Sequence, residues 1–247
     1  QSAEPGLYPD SLRKKQVYWT VLGLPRGQEE SLLDEYGNLE VRTRAPQIMP
    51  YIQDSHDGLL SSHQAQAVQQ TLAQDYLPIP KVFWELDKYS FEVEAFSKRI
   101  KDEDVTLAKY TLINTSDAAQ SGSIHLTIRP VQINPPWQHG GLASVASLDI
   151  APAPRTEGTH VWVNDQLLAY SVTPVDASAT SRIEDGDIIE FIGRNTLPET
   201  HKTTDPDQLA SGTLVYEFLL EPNERKEVIL MCPIDYDSSL ALPSETI

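Results

Sequence analysis

Five polar and aromatic side chains lie close together in a proline-rich stretch near the middle of the chain. They are Arg129, Gln132, Asn134, Trp137 and His139, and two prolines directly precede the tryptophan. An indole ring presents a flat apolar surface that suits the C–H face of a sugar, whereas arginine and planar amides hydrogen-bond to hydroxyl groups. This set therefore predicts a carbohydrate-binding loop. A loop tryptophan that folds back over the edge of the fold is the alternative.

Catalytic and metal-binding signatures do not stand out in the sequence. The six histidines are dispersed, and none lies in HExxH or in another spacing that suits a metal ion. Carboxylates are so frequent that pairs such as Glu92 and Glu94 arise by chance, and on one strand they would share a solvated face. A spatial pair of His125 with Glu92, as a sugar epimerase would need, stays open. We therefore assign no catalytic residue, no metal ion and no cofactor.

The segment that carries the candidate loop has the pattern of two β-strands. Residues 105–137 contain two runs of β-type residues on either side of NTSDAAQSG, a loop of small polar side chains. Within residues 124–129 aliphatic and polar side chains alternate, which places His125 and Arg129 together on the polar face. The sequence therefore predicts a half-buried hairpin that ends in the tryptophan loop.

The rest of the chain reads as short strands separated by turns. Residues 61–75 fit a helix or a strand and are assigned to a strand, and one helical turn is expected at residues 31–35. About a dozen strands with little helix predict an all-β fold, a large antiparallel β-sandwich. We expect a single domain over residues 1–247, with one possible internal boundary at residues 151–155. The other expected strands are at 16–24, 48–52, 82–86, 89–96, 161–163, 166–170, 187–192, 213–220 and 226–232.

Composition and charge exclude several classes of function. The 36 acidic and 19 basic side chains give a net charge of −17, which repels nucleic-acid phosphates and anionic membranes. Neutral sugars or a basic partner remain compatible with such a surface. Cys232 is the one cysteine in the sequence, which excludes an intrachain disulfide, and its apolar neighbours predict a buried thiol. The sequence contains no apolar run of the ~18 residues that a membrane span needs.

Three segments of the chain resemble a known family. They are residues 18–36 (YWTVLGLPRGQEESLLDEY), 75–84 (DYLPIPKVFW) and 110–137 (YTLINTSDAAQSGSIHLTIRPVQINPPW). They are similar to the N-terminal β-supersandwich, galactose-mutarotase-like in fold, of bacterial discoidin-domain or coagulation-factor-5/8-type-domain proteins. In those proteins the sandwich precedes an (α/α)6 barrel of the glucoamylase and cellobiose-phosphorylase kind. The resemblance covers most of residues 16–150.

The resemblance implies an accessory domain that is not catalytic on its own. In such enzymes the barrel carries the general acid, so the expected partner is a helical-barrel catalytic domain in a longer parent chain, a glycoside hydrolase or phosphorylase. The expected contact with glycan is a loop at the active-site rim, residues 134–142. An extracytoplasmic or cell-surface location is favoured, with the cytoplasm left open. Two other functions stay open: a mutarotase-like enzyme acting on a sugar, and a pair of immunoglobulin-like interaction modules.

Overall fold

A computed structural model describes residues 10–13, 15–138, 140–152 and 158–235. These residues contain seventeen β-strands and one short α-helix, α1 (Ile188–Gly193). The strands are β1 (Trp19–Leu22), β2 (Ser31–Asp34), β3 (Leu39–Glu40), β4 (Gln47–Asp54), β5 (Gly58–Leu60), β6 (Ala67–Ala73), β7 (Leu77–Glu85), β8 (Tyr89–Ile100), β9 (Glu103–Asn114), β10 (Gln120–Arg129), β11 (Ser147–Pro152), β12 (Thr159–Val163), β13 (Gln166–Ser171), β14 (Ala177–Ser181), β15 (Lys202–Thr204), β16 (Ser211–Leu220) and β17 (Arg225–Pro233).

The strands form two large sheets of antiparallel neighbours. The first sheet has the order β1-β2-β3-β4-β10-β16-β14, with β5 paired to β4. The second has the order β15-β11-β12-β13-β17-β9-β8-β7-β6. The predicted all-β sandwich is therefore confirmed. None of the helices in the described residues is long and apolar enough to span a membrane.

The apolar core lies between the two sheets. Ile124 and Leu126 of β10 are fully buried there, in one cluster with Trp84, Phe91 and Tyr110 of the second sheet. The rings of Trp84 and Phe91 are 4.7 Å apart between centroids. Each such side chain contributes about 1.5–3 kcal/mol by leaving water. The predicted burial of Cys232 is also confirmed, and burial raises the pKa of its thiol to about 12.

Residues 105–129 do not form the predicted hairpin. β9 pairs with β8 and β17 in the second sheet, whereas β10 pairs with β4 and β16 in the first. The NTSDAAQSG loop therefore carries the chain across the core, from one sheet to the other. The Asn114 amide fixes this crossing, since it donates hydrogen bonds of 2.8 Å to the Ala118 carbonyl and 2.9 Å to the Leu220 carbonyl. Alternating side chains predict a strand with one apolar face, but they do not predict which strands pair with it.

The polar face of β10 is buried rather than solvated. His125, Thr127 and Arg129 are 4 %, 0 % and 1 % exposed, although they point away from the core between the sheets. α1 covers part of this outer face and packs on Met49, Tyr51, Val131 and Ala179 in a second, smaller apolar cluster. The first sheet is thus covered on both faces around Thr127 and Arg129.

Two elements differ in class from the prediction. Residues 187–192, expected as a strand, form α1 because Asp187 caps it: its carboxylate accepts a hydrogen bond of 3.2 Å from the Ile189 N–H. The helix buries three isoleucines against the sheet, which outweighs the β preference of branched side chains. Residues 31–35, expected as a helical turn, contain β2, which pairs with β1 and β3.

Other predicted elements are confirmed. Residues 61–75 contain β6, preceded by a 3-10 turn at Ser62–Gln64. The strands expected at 82–86 and 89–96 pair as a hairpin, β7 with β8, and those expected at 161–163 and 166–170 pair as a second one, β12 with β13. Glu92 and Glu94 share one face of β8, where both form ion pairs with Lys81.

The one candidate internal boundary lies at the connection between β11 and β12. Ala151 and Pro152 belong to β11 and pair with β12, while residues 153–155 lie outside the described residues. Each sheet contains strands from before and after this point.

We therefore expect the chain to unfold in a single cooperative transition, because neither part could keep both sheets alone. Far-ultraviolet and near-ultraviolet circular dichroism would give coincident urea transitions. Two separated transitions would contradict the one-domain prediction.

Candidate functional site

The five residues of the predicted sugar-binding loop have different environments. Gln132 is buried, and its backbone N–H donates to the Gly141 carbonyl at 2.8 Å. Asn134 is half-buried, and Trp137 is 52 % exposed in a 3-10 turn, Pro136–Gln138. His139 lies outside the described residues. Trp137 thus presents its indole to solvent, as a sugar platform must, while its role in binding stays a prediction.

Arg129 lies apart from this loop surface, under α1. Its guanidinium forms a buried ion pair with Asp187, with an Nη2–Oδ2 distance of 2.6 Å and an Nε–Oδ2 distance of 3.1 Å. Its Nη1 also donates to the Tyr51 hydroxyl at 3.4 Å. At 1 % exposure, Arg129 positions the helix and has no surface to offer a sugar. The alternation predicted for β10 does place Arg129 on the face that points away from the core, but α1 covers that face at Arg129.

The loop that carries Trp137 is fixed by backbone contacts. The buried Glu40 carboxylate accepts a hydrogen bond of 2.8 Å from the Ile133 N–H, and burial raises the pKa of Glu40 to about 7. Gly140 packs directly on the preceding turn, because a Cβ there would lie 1.8 Å from the Asn134 carbonyl oxygen. These contacts hold the exposed indole on a defined turn.

A separate groove opens on the outer face of the first sheet, beside α1. We call it the His125 groove. Its floor consists of β4, β10, β16 and the start of β14, and its wall consists of α1 and the residues that follow it. The space is about 290 Å³, at the small end of the range for ligand pockets. Its polar floor residues are Gln53, Ser123, His125 and Glu217, its apolar floor residues are Ala177 and Val215, and its apolar wall residues are Ile192 and Leu197.

Strand register brings the polar floor residues together. Ser123 of β10 lies opposite Gln53 of β4 on one side and Glu217 of β16 on the other. Neighbouring strands are about 4.8 Å apart, so these three side chains form a row roughly 10 Å long. His125 is two residues further along the same face of β10. The sequence could not predict this row, because it depends on which strands flank β10.

Hydrogen bonds of His125 indicate its tautomer. Its Nδ1 lies 3.3 Å from the Thr213 hydroxyl, which itself donates to the Leu214 carbonyl at 3.2 Å. This arrangement favours a proton on Nδ1 that is donated to Thr213, with Nε2 accepting from the Ser123 hydroxyl at 2.9 Å. The Ser123 oxygen is left with lone pairs that can accept a hydrogen bond from a ligand.

The groove therefore offers acceptors for hydrogen bonds. The Ser123 hydroxyl is one of them, and the exposed Glu217 adds a carboxylate. The Gln53 amide lies beside Ser123, with its Oε1 atom buried. This arrangement suits a small ligand with several hydroxyl groups and one apolar face.

The groove lacks the features of a proton-transfer site. Burial lowers the pKa of His125 to about 4, so the imidazole is neutral near pH 7 and is a weak base there. Its two ring nitrogens contact hydroxyls rather than carboxylates. Glu92, the carboxylate considered as its partner, lies on β8 in the other sheet. In the described part of the chain, His, Cys, Asp and Glu side chains form no group of three that could hold a metal ion.

Comparisons with known proteins do not assign a family. No family model and no curated protein matches the chain. Among solved structures, a polysaccharide lyase has a TM-score of 0.42 and 8 % identity, over 87 % of this chain and 32 % of that one. A protein described as a kojibiose phosphorylase from human microbiome has a TM-score of 0.34 and 10 % identity, over 91 % and 26 %. The chain thus spans about a third or less of their lengths.

Proposed function

We propose that the chain is a carbohydrate-binding domain without catalytic activity of its own, and that the His125 groove holds one neutral sugar unit. The observation that supports this most is the row of polar side chains from Gln53 through Ser123 to Glu217. Neighbouring hydroxyls of a sugar would hydrogen-bond to Ser123 and Glu217, while its C–H face would pack on Leu197.

A neutral sugar is favoured over an anionic one. The residues that line the described groove include no lysine or arginine, and Glu217 would repel a uronate carboxylate. The net charge of −17 also repels an anionic sugar. A mutarotase-like activity is less consistent with the groove, because a histidine with a pKa of about 4 is poorly matched to proton transfer near neutral pH.

The finer assignments are also proposals. They are that the sandwich packs on an (α/α)6 barrel in a longer parent chain and that residues 134–142 reach the rim of that partner's active site. The support is the resemblance of three segments, together with the exposed indole of Trp137 on its fixed turn.

The groove proposal predicts that Glu217→Gln weakens binding of a neutral monosaccharide about tenfold. The change replaces a charge-assisted hydrogen bond, worth about 1.5–3 kcal/mol, with a neutral one. Titration of labelled protein with glucose, galactose and mannose, followed by amide chemical shifts, gives the dissociation constants.

Glu85→Gln is the matched control, because Glu85 is also an exposed strand carboxylate but lies on β7 in the other sheet. Unchanged affinity in Glu217→Gln, or equal loss in both variants, would refute the groove as the site. Tighter binding of glucuronate than of glucose would refute the neutral-sugar assignment.

A further inference from the structure

Trp162 lies on the outer face of the second sheet, although its apolar neighbours in the sequence predict a core position. Val161 and Val163 of β12 point into the core and are buried, so Trp162 between them points outward. It is 36 % exposed. The period of two within β12 explains this placement, and a shift in strand register between Val161 and Trp162 adds a local irregularity.

Charged and hydroxyl side chains surround this indole. Asp149 of β11 lies directly opposite Trp162 on one side and opposite Lys202 of β15 on the other. The Lys202 Nζ and Asp149 Oδ2 atoms are 2.6 Å apart. Together with Ser147, Asp165 and Thr204 these residues line a shallow depression of about 410 Å³, which we call the Trp162 surface.

We propose that the Trp162 surface is a second carbohydrate site, which binds a neutral polysaccharide by stacking one of its sugars on the indole. The π face of an indole is electron-rich, and the C–H bonds on one face of a pyranose are its positive, apolar side. Asp149 and Lys202, held by each other, offer an acceptor and donors at the edge of the ring for the sugar hydroxyls.

A polysaccharide fits this surface better than a protein or a polyanion does. Protein interfaces bury a dehydrated apolar centre that is depleted of charge. Here one exposed aromatic side chain is surrounded by two carboxylates and an ammonium group. Asp149, Asp165 and the net charge of −17 oppose an anionic chain.

The two sites are independent of each other. The His125 groove faces outward from the first sheet and Trp162 faces outward from the second, so the sandwich separates them. The Trp162 surface could therefore bind a glycan even if the groove binds nothing. A depression of about 410 Å³ that is open to solvent admits one unit within a longer chain.

Affinity electrophoresis tests the Trp162 surface. Gels would contain dextran, laminarin, xyloglucan or galactomannan as neutral polysaccharides, or polygalacturonate as the anionic one. Trp162→Ala should weaken retention by at least one neutral polysaccharide about tenfold, near the upper limit for one aromatic contact. Trp162→Phe should keep part of the retention, because a smaller ring still stacks.

Tyr76→Ala is the matched control, since Tyr76 is also an exposed aromatic side chain but lies in the turn between β6 and β7. It should behave like the unmodified protein. Equal loss of retention in Tyr76→Ala and Trp162→Ala, unchanged retention of Trp162→Ala, retention by polygalacturonate only, or no retention in any gel would overturn the proposal. Because Glu217→Gln is scored separately with monosaccharides, failure of one site does not obscure the other.

Discussion

Asp187→Ala is expected to destabilise the protein by about 3–5 kcal/mol, the usual cost of leaving one member of a buried ion pair without its partner. Arg129 is 1 % exposed, so its charge would stay in the interior with the Tyr51 hydroxyl but without the carboxylate. The helix would also lose its N-cap, which costs about 1 kcal/mol more. Urea unfolding followed by circular dichroism measures the change.

A double replacement separates the ion pair from the packing around it. Arg129→Met with Asp187→Leu removes both charges and fills a similar volume, so much of the stability should return. A double variant as unstable as Asp187→Ala would mean that the charges themselves are not the cause.

Asp187→Ala should also weaken sugar binding in the groove. Asp187 holds the first turn of α1, and Ile192 near the end of that helix lines the groove wall. Loss of the cap and of the ion pair would free this wall from the sheet. Monosaccharide affinity should therefore fall in Asp187→Ala and recover in part in the double variant.

The protein should be more stable at pH 5 than at pH 8, by about 3 kcal/mol. Two buried carboxyl groups cause this. Asp34 accepts hydrogen bonds from the Asn38 amide at 2.7 Å and from the Tyr36 N–H at 2.9 Å, yet burial outweighs them and raises its pKa to about 7. The pKa of Glu40 is raised to about 7 by the same cause.

The direction follows from proton binding in the two states. Between about pH 4 and pH 7 the folded protein keeps protons on Asp34 and Glu40 that the unfolded chain has released, so stability falls as the pH rises. His125 acts in the opposite direction, because only the unfolded chain protonates it between pH 6.5 and its folded pKa of about 4. Each effect is on the order of 3 kcal/mol across its full range, and two carboxyls outweigh one histidine.

The Asp34→Asn and Glu40→Gln double variant tests this account. Both amides keep the shape of the carboxyl groups but do not titrate, so only the histidine effect remains and stability should become lower at pH 5 than at pH 8. Urea midpoints at the two pH values report the sign, and Glu85→Gln serves as the control for an exposed carboxyl. An unchanged pH dependence in the double variant would contradict the raised pKa values.

The sequence predicts strands in this protein better than it predicts their partners. The alternation in β10 correctly separates Ile124 and Leu126 from His125, because side-chain period is a local property. It does not show that β9 lies in the other sheet or that α1 covers Arg129. Those features depend on contacts between residues far apart in the chain, such as the ion pair of Arg129 with Asp187.

In the candidate sites, too, the sequence predicts local features but not contacts between distant strands. The exposure of Trp162 could have been predicted, since it alternates with Val161 and Val163 in a strand that was correctly identified. The row from Gln53 through Ser123 to Glu217 could not, because it needs the register of three strands that are distant in sequence. Trp137 remains an exposed side chain whose role in glycan contact is a prediction.

The most direct test of sugar binding in the groove is the imidazole spectrum of His125. Long-range proton–nitrogen correlation should show a neutral ring with the proton on Nδ1 from pH 5 to pH 8, as its hydrogen bonds to Thr213 and Ser123 indicate. Addition of the neutral monosaccharide that binds best should shift the Nε2 resonance, because the sugar hydroxyl would polarise the Ser123 hydroxyl that donates to it. An Nε2 resonance that does not respond to saturating glucose, galactose or mannose would contradict the proposed site.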